Sequence, residues 1–202
     1  MKQFTLLNET MLLIIFSSSI FLFVACGNNQ NSQDAKSAAE ERNEAKFNEN
    51  RQQEDAQFLV NASEINLKQI QLGQLAQQKG RTTDVTELGK RIEDTHTKSQ
   101  RDLRALAQSK RISIPTSLTN NAREDYNNLN GKSGYEFDEA YANMMVNEKK
   151  DAISTFERAS TDSHDREIKN WASANLREMR TNLDHSIDCQ KKFADMHFDN
   201  NR

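Results

Sequence analysis

One proline, six glycines, two cysteines and one tryptophan are all that this 202-residue chain holds of those four residue types. With Pro115 the only proline, long helical periods can run uninterrupted on either side of it. Two cysteines exclude a disulfide-built fold, so packing must hold the chain together. No segment alternates apolar and polar residues as a half-buried strand would. No apolar run reaches the roughly 20 residues that a membrane-spanning helix needs. Lysine and arginine number 27 against 30 acidic residues, a net charge of -3. That near-balance lacks the clustered basic footprint of a nucleic-acid binder. Glycine-rich phosphate loops, paired-cysteine motifs and a Ser-His-Asp order are also missing from the sequence.

What is present begins with Met11 to Ala25, an apolar stretch after Lys2 broken only by Ser17-Ser18-Ser19. It is too short to span a bilayer and suits the apolar core of a secretory signal, which ends at small residues. Here the signal, residues 1–25, ends in Phe23-Val24-Ala25 and a cysteine follows at once, then Gly27. This resembles the lipobox of bacterial lipoproteins, in which the cysteine is diacylated and becomes the new N-terminus. The resemblance implies lipidation at Cys26, membrane lipid as a partner, and a cell-envelope address. Gly27, in place of an aspartate, points by the same resemblance to the outer membrane. The alternatives are a plain signal peptide or an uncleaved apolar anchor.

Loss of residues 1–25 leaves 177 residues (202 − 25), enough for one domain with a core and a tail. Lys2 and Glu9 depart together, so the net charge is unchanged. Residues 26–54 read as a polar tether, partly helical, with Phe47 the only large apolar side chain. Residues 55–197 carry four amphipathic periods, and 198–202 form a tail. The first helix is predicted from about Asp55 to Lys79, with Phe58, Ala62, Ile65, Leu72 and Ala76 on one face and Gln69 among them. Gly80 follows, where a left-handed helix-ending residue is expected. The second begins at Thr83 or Asp84, with Glu87 as capping-box partner, and runs to Arg111 with His96 inward. A short helix over 122–129 occupies the crossing after Pro115. The third spans about Tyr135 to Ser160, and the fourth starts at Asp162 or Ser163 and ends near His197. Four such helices with polar connections predict an all-α antiparallel four-helix bundle.

Three blocks give a family resemblance. They are Phe58 through Leu72-Gly73-Gln74-Leu75-Ala76; Asp94 and His96 to Leu103-Arg104-Ala105-Leu106-Ala107 with Ile114-Pro115; and Phe137-Asp138-Glu139-Ala140-Tyr141 with Met145-Val146. Together, over roughly Asp55 to Phe193, they resemble the bacterial envelope family called domain of unknown function 4142. The resemblance implies a ferritin-like bundle at the outer membrane. It also implies a set of midplane positions where ferritin-like proteins hold metals, and there this chain departs from the family. Gln69 stands for a glutamate, Thr95 for the aspartate before His96, Lys149 for a histidine, and Asn182 for another histidine, with Arg177 in place of a proline.

A dinuclear carboxylate centre needs about four carboxylates and two histidines, with Glu-x-x-His on two helices. Glu93-Asp94-Thr95-His96 supplies one such motif, whereas Asn182-Leu183-Asp184-His185 lacks the glutamate. Glu64 and Glu148 are further carboxylates, Glu64 off the stripe. The candidate positions Gln69, His96, Glu148, Lys149 and Asn182 therefore form a degenerate set, and no metal, cofactor or catalytic residue is expected. Spacing leaves open whether Glu148 or its neighbour Lys149 points inward. His96 reads as a core histidine satisfied by polar neighbours. Met144 and Met145 read as core filling, and Cys189 as a small buried residue. The expected function is a non-catalytic, membrane-tethered structural or interaction module, with a protein partner open. The alternative is a ferritin-like divalent-metal-binding or peroxide-handling protein of the periplasm.

Overall fold

The computed structural model describes residues 34–199, with side chains to 195; the signal segment, Cys26 and the tail from residue 200 lie outside the described residues. Six helices follow in order: α1 Ala35–Glu44, α2 Asn50–Lys79, α3 Thr83–Lys110, α4 Asn120–Asn130, α5 Gly134–Asp162 and α6 Arg166–Asp199. No strand occurs among the described residues.

Side-chain pairs fix the direction of the four long helices. Asn66 of α2 meets Gln100 of α3, while Gly73 meets Gly89, so these two run antiparallel. Gln190 reaches Asn143 and Arg180 reaches Glu157, which makes α5 and α6 antiparallel as well. Lys192–Asp84 and Lys110–Asp165 tie opposite ends of α6 and α3 in the same sense. Helices α2 and α5 complete the ring, with Phe58 on Phe156 at one end and Lys149 on Gln69 further along. Each helix thus packs antiparallel to both neighbours, and α3 and α5 run parallel. The crossover 111–133 must therefore travel the length of the bundle, and it carries α4 against α2 and α5. One long crossover is also the connectivity of ferritin-like bundles.

The two hairpins are held by matching devices. Asp138, fully buried on α5, accepts the Arg81 and Thr82 N–H groups and the Thr82 hydroxyl, fastening the α2–α3 turn. Asp55 on α2 accepts the Ser163 hydroxyl and the N–H groups of His164 and Asp165, fastening the α5–α6 turn. These aspartates lie 83 positions apart, and so do the residues that close the two turns, Gly80 and Ser163. The cap N–H of Gly80 reaches Ala76 O and that of Ser163 reaches Ala159 O, again 83 positions apart. The bundle is two copies of one helical hairpin plan, each with a buried carboxylate gripping the other's turn.

Several local expectations are corrected. Gly80 is not left-handed (φ -56°); a Cβ there would sit 2.5 Å from Ala76 O, so glycine is required for room. The left-handed residue is Arg111, φ 56°, which turns the chain out of α3. No Asp84–Glu87 capping box forms: the cap position is Thr82, whose donors go to Asp138, and Asp84 pairs with Lys192. Helix α6 begins at Arg166, later than expected, because the Asp165 carboxylate accepts from the Glu167 and Ile168 N–H groups. Helix α2 begins five residues before Asp55, and α1, read as tether, belongs to the same compact unit as the bundle.

Helices α2 and α3 approach tightly where Gly73 faces Gly89; a Cβ on Gly73 would lie 2.6 Å from the Gly89 carbonyl oxygen. Gly73→Ala should therefore lower stability by about 1–3 kcal/mol, overpacking outweighing the roughly 1 kcal/mol that alanine gains in helix propensity. Urea denaturation followed by circular dichroism reads this directly. Unchanged or raised stability would mean that the helices can separate there without loss.

Candidate functional site

Two apolar clusters fill the bundle. One is built on Phe58, Leu103, Phe156 and Met179, the other on Leu72, Ile92, Phe137 and Phe193. Between them lies a polar layer whose side chains come from all four long helices, and all are buried: Ser63, Asn66 and Gln69 from α2; His96, Ser99 and Gln100 from α3; Lys149 from α5; Asn182 and Ser186 from α6.

The layer is wired in one direction. The Lys149 amine donates to Gln69 Oε1 at 2.6 Å and to His96 Nε2 at 2.6 Å. His96 Nδ1 lies 2.8 Å from Asn66 Oδ1, and since the Asn66 amide nitrogen donates to Ser99 and Gln100, that ring nitrogen carries the hydrogen. Gln100 Nε2 donates to Ser63 Oγ at 2.9 Å, and the Ser63 hydroxyl donates to the Pro115 carbonyl at 2.8 Å. Six groups thus link the middle of α5 to the crossover backbone, each partner fixing the tautomer or amide orientation of the next.

The electrostatics follow from burial. Lys149 is fully buried, which pushes its amine down to about 7; the nearby Glu148 charge acts weakly in the opposite direction. His96 is held well below its ordinary range, first by burial and then by Lys149. Two acceptors and no third partner match a neutral amine, which has two N–H groups, better than an ammonium with three. Lys68, one layer outward, shows the contrast. Burial opposes its charge too, yet hydrogen bonds to Asp125 and Glu148 at 2.5 and 2.6 Å raise its pKa. That pair also decides the Glu148/Lys149 alternative: Glu148 is drawn toward the partly buried Lys68, and Lys149 takes the interior.

The candidate positions are therefore only partly brought together. Gln69, His96 and Lys149 are joined by hydrogen bonds, Glu148 faces away, and Asn182 is buried with its Nδ2, like Gln69 Nε2, lacking a protein partner. Asn66, Ser63 and Gln100 are the members that sequence reasoning passed over. Their signal was a polar ridge at spacing three, 63-66-69, beside the apolar stripe, and a residue one turn beyond His96.

These residues do not fit a dinuclear metal centre. Both nitrogens of His96 are engaged, one of them by the Lys149 amine, and Gln69 brings an amide rather than a carboxylate to the same amine. Glu93 binds Gln74 and Gln77, Asp94 binds Lys90, and Glu64 binds Lys36 and Thr119, all away from the layer. Asp184 and His185 are exposed. Among the described residues no group of three or more histidine, cysteine or acidic side chains is placed to hold a metal ion. Cys189 is buried, which with the charge of Asp84 pushes its thiol up to about 11, far from a reactive thiolate.

Fold and layer together define an all-α helical bundle with a lysine-centred polar core. The family described as Domain of unknown function (DUF4142) matches residues 35–188, and the chain belongs to it. That span opens with α1 rather than at Asp55, so the family unit includes the segment read from sequence as tether. No curated protein and no solved structure matches the chain.

The layer dictates a pH dependence. Between about 7 and the ordinary lysine value of 10.5, unfolded Lys149 binds a proton that the folded chain does not. Stability therefore rises with pH across that window and is flat for this group below it. His96 adds a further loss as pH falls below its ordinary 6.5. From pH 7 to 10 the wild type should gain about 3 kcal/mol relative to Lys149→Met, in which this dependence is removed. Parallel urea titrations of the two proteins check it; identical pH profiles would place the amine in water.

Proposed function

We propose that this protein is a membrane-tethered lipoprotein of the bacterial envelope, at the outer membrane, whose bundle serves as a non-catalytic structural or interaction module. The observation that carries the tether is the apolar run ending in Val24-Ala25-Cys26-Gly27. Two or more acyl chains on one cysteine hold a protein stably where a single chain does not, each buried methylene contributing about 0.8 kcal/mol. No helix among the described residues is long and apolar enough to cross a membrane. On this reading contact with the bilayer is made through Cys26.

The non-catalytic reading is supported by the condition of the polar layer. The Lys149 amine and both His96 ring nitrogens are engaged within the layer, and Lys149 lines none of the principal clefts between the described helices. A general base or nucleophile needs reach to its substrate, and the full burial of Lys149 supports a structural role for it. The rival reading, divalent-metal binding, draws support only from His96, whose ring nitrogens are already engaged.

Changing Cys26→Ser tests the tether. The variant should leave the membrane fraction, or accumulate with its signal uncut, while the parent sediments with membranes and incorporates labelled fatty acid. A correctly cleaved Cys26→Ser protein that still sediments with membranes would contradict the assignment.

A further inference from the structure

Helix α1 packs on α2, and residues in and beside it are also hydrogen-bonded to the first part of the crossover. The Asn43 side-chain amide makes both hydrogen bonds of a strand partner, accepting the Ser113 N–H at 2.7 Å and donating to the Ser113 carbonyl at 2.8 Å. Lys46 donates to the carbonyl of Arg111, the left-handed residue at the turn. Asp34 caps α1 through the Lys36 N–H and, with its other oxygen, accepts the Asn120 N–H at the start of α4. From the opposite side α2 holds the same stretch, Ser63 through the Pro115 carbonyl and Glu64 through the Thr119 hydroxyl. The non-helical residues 111–119 therefore run in a slot between α1 and α2, pinned at both ends and in the middle.

Helix α1, the strap over this stretch, is weakly held by apolar packing. Its buried residues are Ala39 and Asn43 alone, and its remaining links to α2, such as Lys36–Glu64 and Gln57–Glu40, lie at exposed or half-buried positions. Elements held by few apolar contacts and by exposed polar pairs sit at the low-stability end of a fold. What the strap restrains is the only covalent link between two hairpins of one plan, each gripping the other's turn through a buried aspartate. Such grips form equally well between hairpins of different chains, so exchange of an identical element between copies loses no contact except those made to the crossover.

We infer that α1 is a latch against hairpin exchange: while it clamps residues 111–119 the chain closes on itself, and its release lets two copies of this chain swap their α5–α6 hairpins into a dimer. The partner is a second copy. The contacts broken on opening are the clasps at Arg111, Ser113 and Asn120, together with those that α2 makes to Pro115, Thr119, Asp125 and Asn130. The inference stands on the described helices and is independent of the lipid anchor.

The test uses the full chain in detergent, unfolded in urea and refolded over a range of concentrations, with mass read by light scattering after size exclusion. The parent should refold as a monomer. The triple variant Asp34→Ala, Asn43→Ala, Lys46→Ala, which leaves both apolar clusters of the bundle untouched, should dimerise at protein concentrations lower by roughly tenfold or more. Its helicity should stay unchanged, and the dimer should scramble with labelled dimer only after unfolding. If the triple variant does not fold, Asn43→Ala alone must show the same direction of change. A folded strap variant that stays monomeric at every concentration would overturn the inference. So would a dimer that dissociates on dilution with its helices intact, since exchanged hairpins part only by unfolding.

Discussion

Taking the Lys149 amine out of water removes the solvation of one of the most strongly hydrated groups in a protein, and nothing charged replaces it. Burial lowers the pKa of the amine to about 7, and the chain supplies two neutral acceptors, Gln69 Oε1 and the unprotonated nitrogen of His96. That choice propagates. His96 must keep its hydrogen on Nδ1, Asn66 must turn its oxygen toward the ring, and Gln100 and Ser63 must follow in a fixed order to the Pro115 carbonyl. From Lys149 to the Pro115 carbonyl every link of the wire is made, and a connected chain of this kind specifies a single register of its helices. Gln69 Nε2 and Asn182 Nδ2 beside it have no protein partner. With α2, α3 and α5 each contributing to the wire, a one-turn slip of any of them breaks it.

Around this layer the rest of the bundle is arranged by repetition. Two hairpins of the same plan each place a buried aspartate under the other's turn, so that the ends are gripped by charge-assisted hydrogen bonds while the middle is set by the polar wire. Apolar clusters above and below supply the bulk of the stabilisation. The long crossover is the price of joining two hairpins that way, and α1 covers its exposed course. The family match beginning at Ala35 includes that cover.

Much of this was legible in the residues. The stripes through Phe58, Ala62 and Leu72, or Phe137, Tyr141 and Met145, identify the all-α class because burial imposes period 3.6 on any packed helix. Other features were hidden for specific reasons. Glu148 and Lys149 are one helical step apart, and their exchange was decided by Lys68 and Asp125, far away in sequence. Helix α1 leaves no periodic trace because its binding rests on side-chain to backbone hydrogen bonds reaching some 70 positions along the chain. Gly80 marked the end of α2 correctly, though for room rather than for a left-handed backbone. Asp55 and Asp138 look like ordinary surface acids of a charged chain until the turns they grip are in place.

The central claim is that one lysine of this protein is a neutral amine near physiological pH, held dry between an amide oxygen and an imidazole nitrogen. Nitrogen NMR of the lysine side chains, with Lys149→Met to assign the signal, tests it most directly. The account predicts one resonance with the shift of a free amine at pH 8.5, titrating toward the ammonium value near pH 7. A Lys149 resonance that remains that of an ammonium up to pH 9.5, alongside the other lysines, would contradict it.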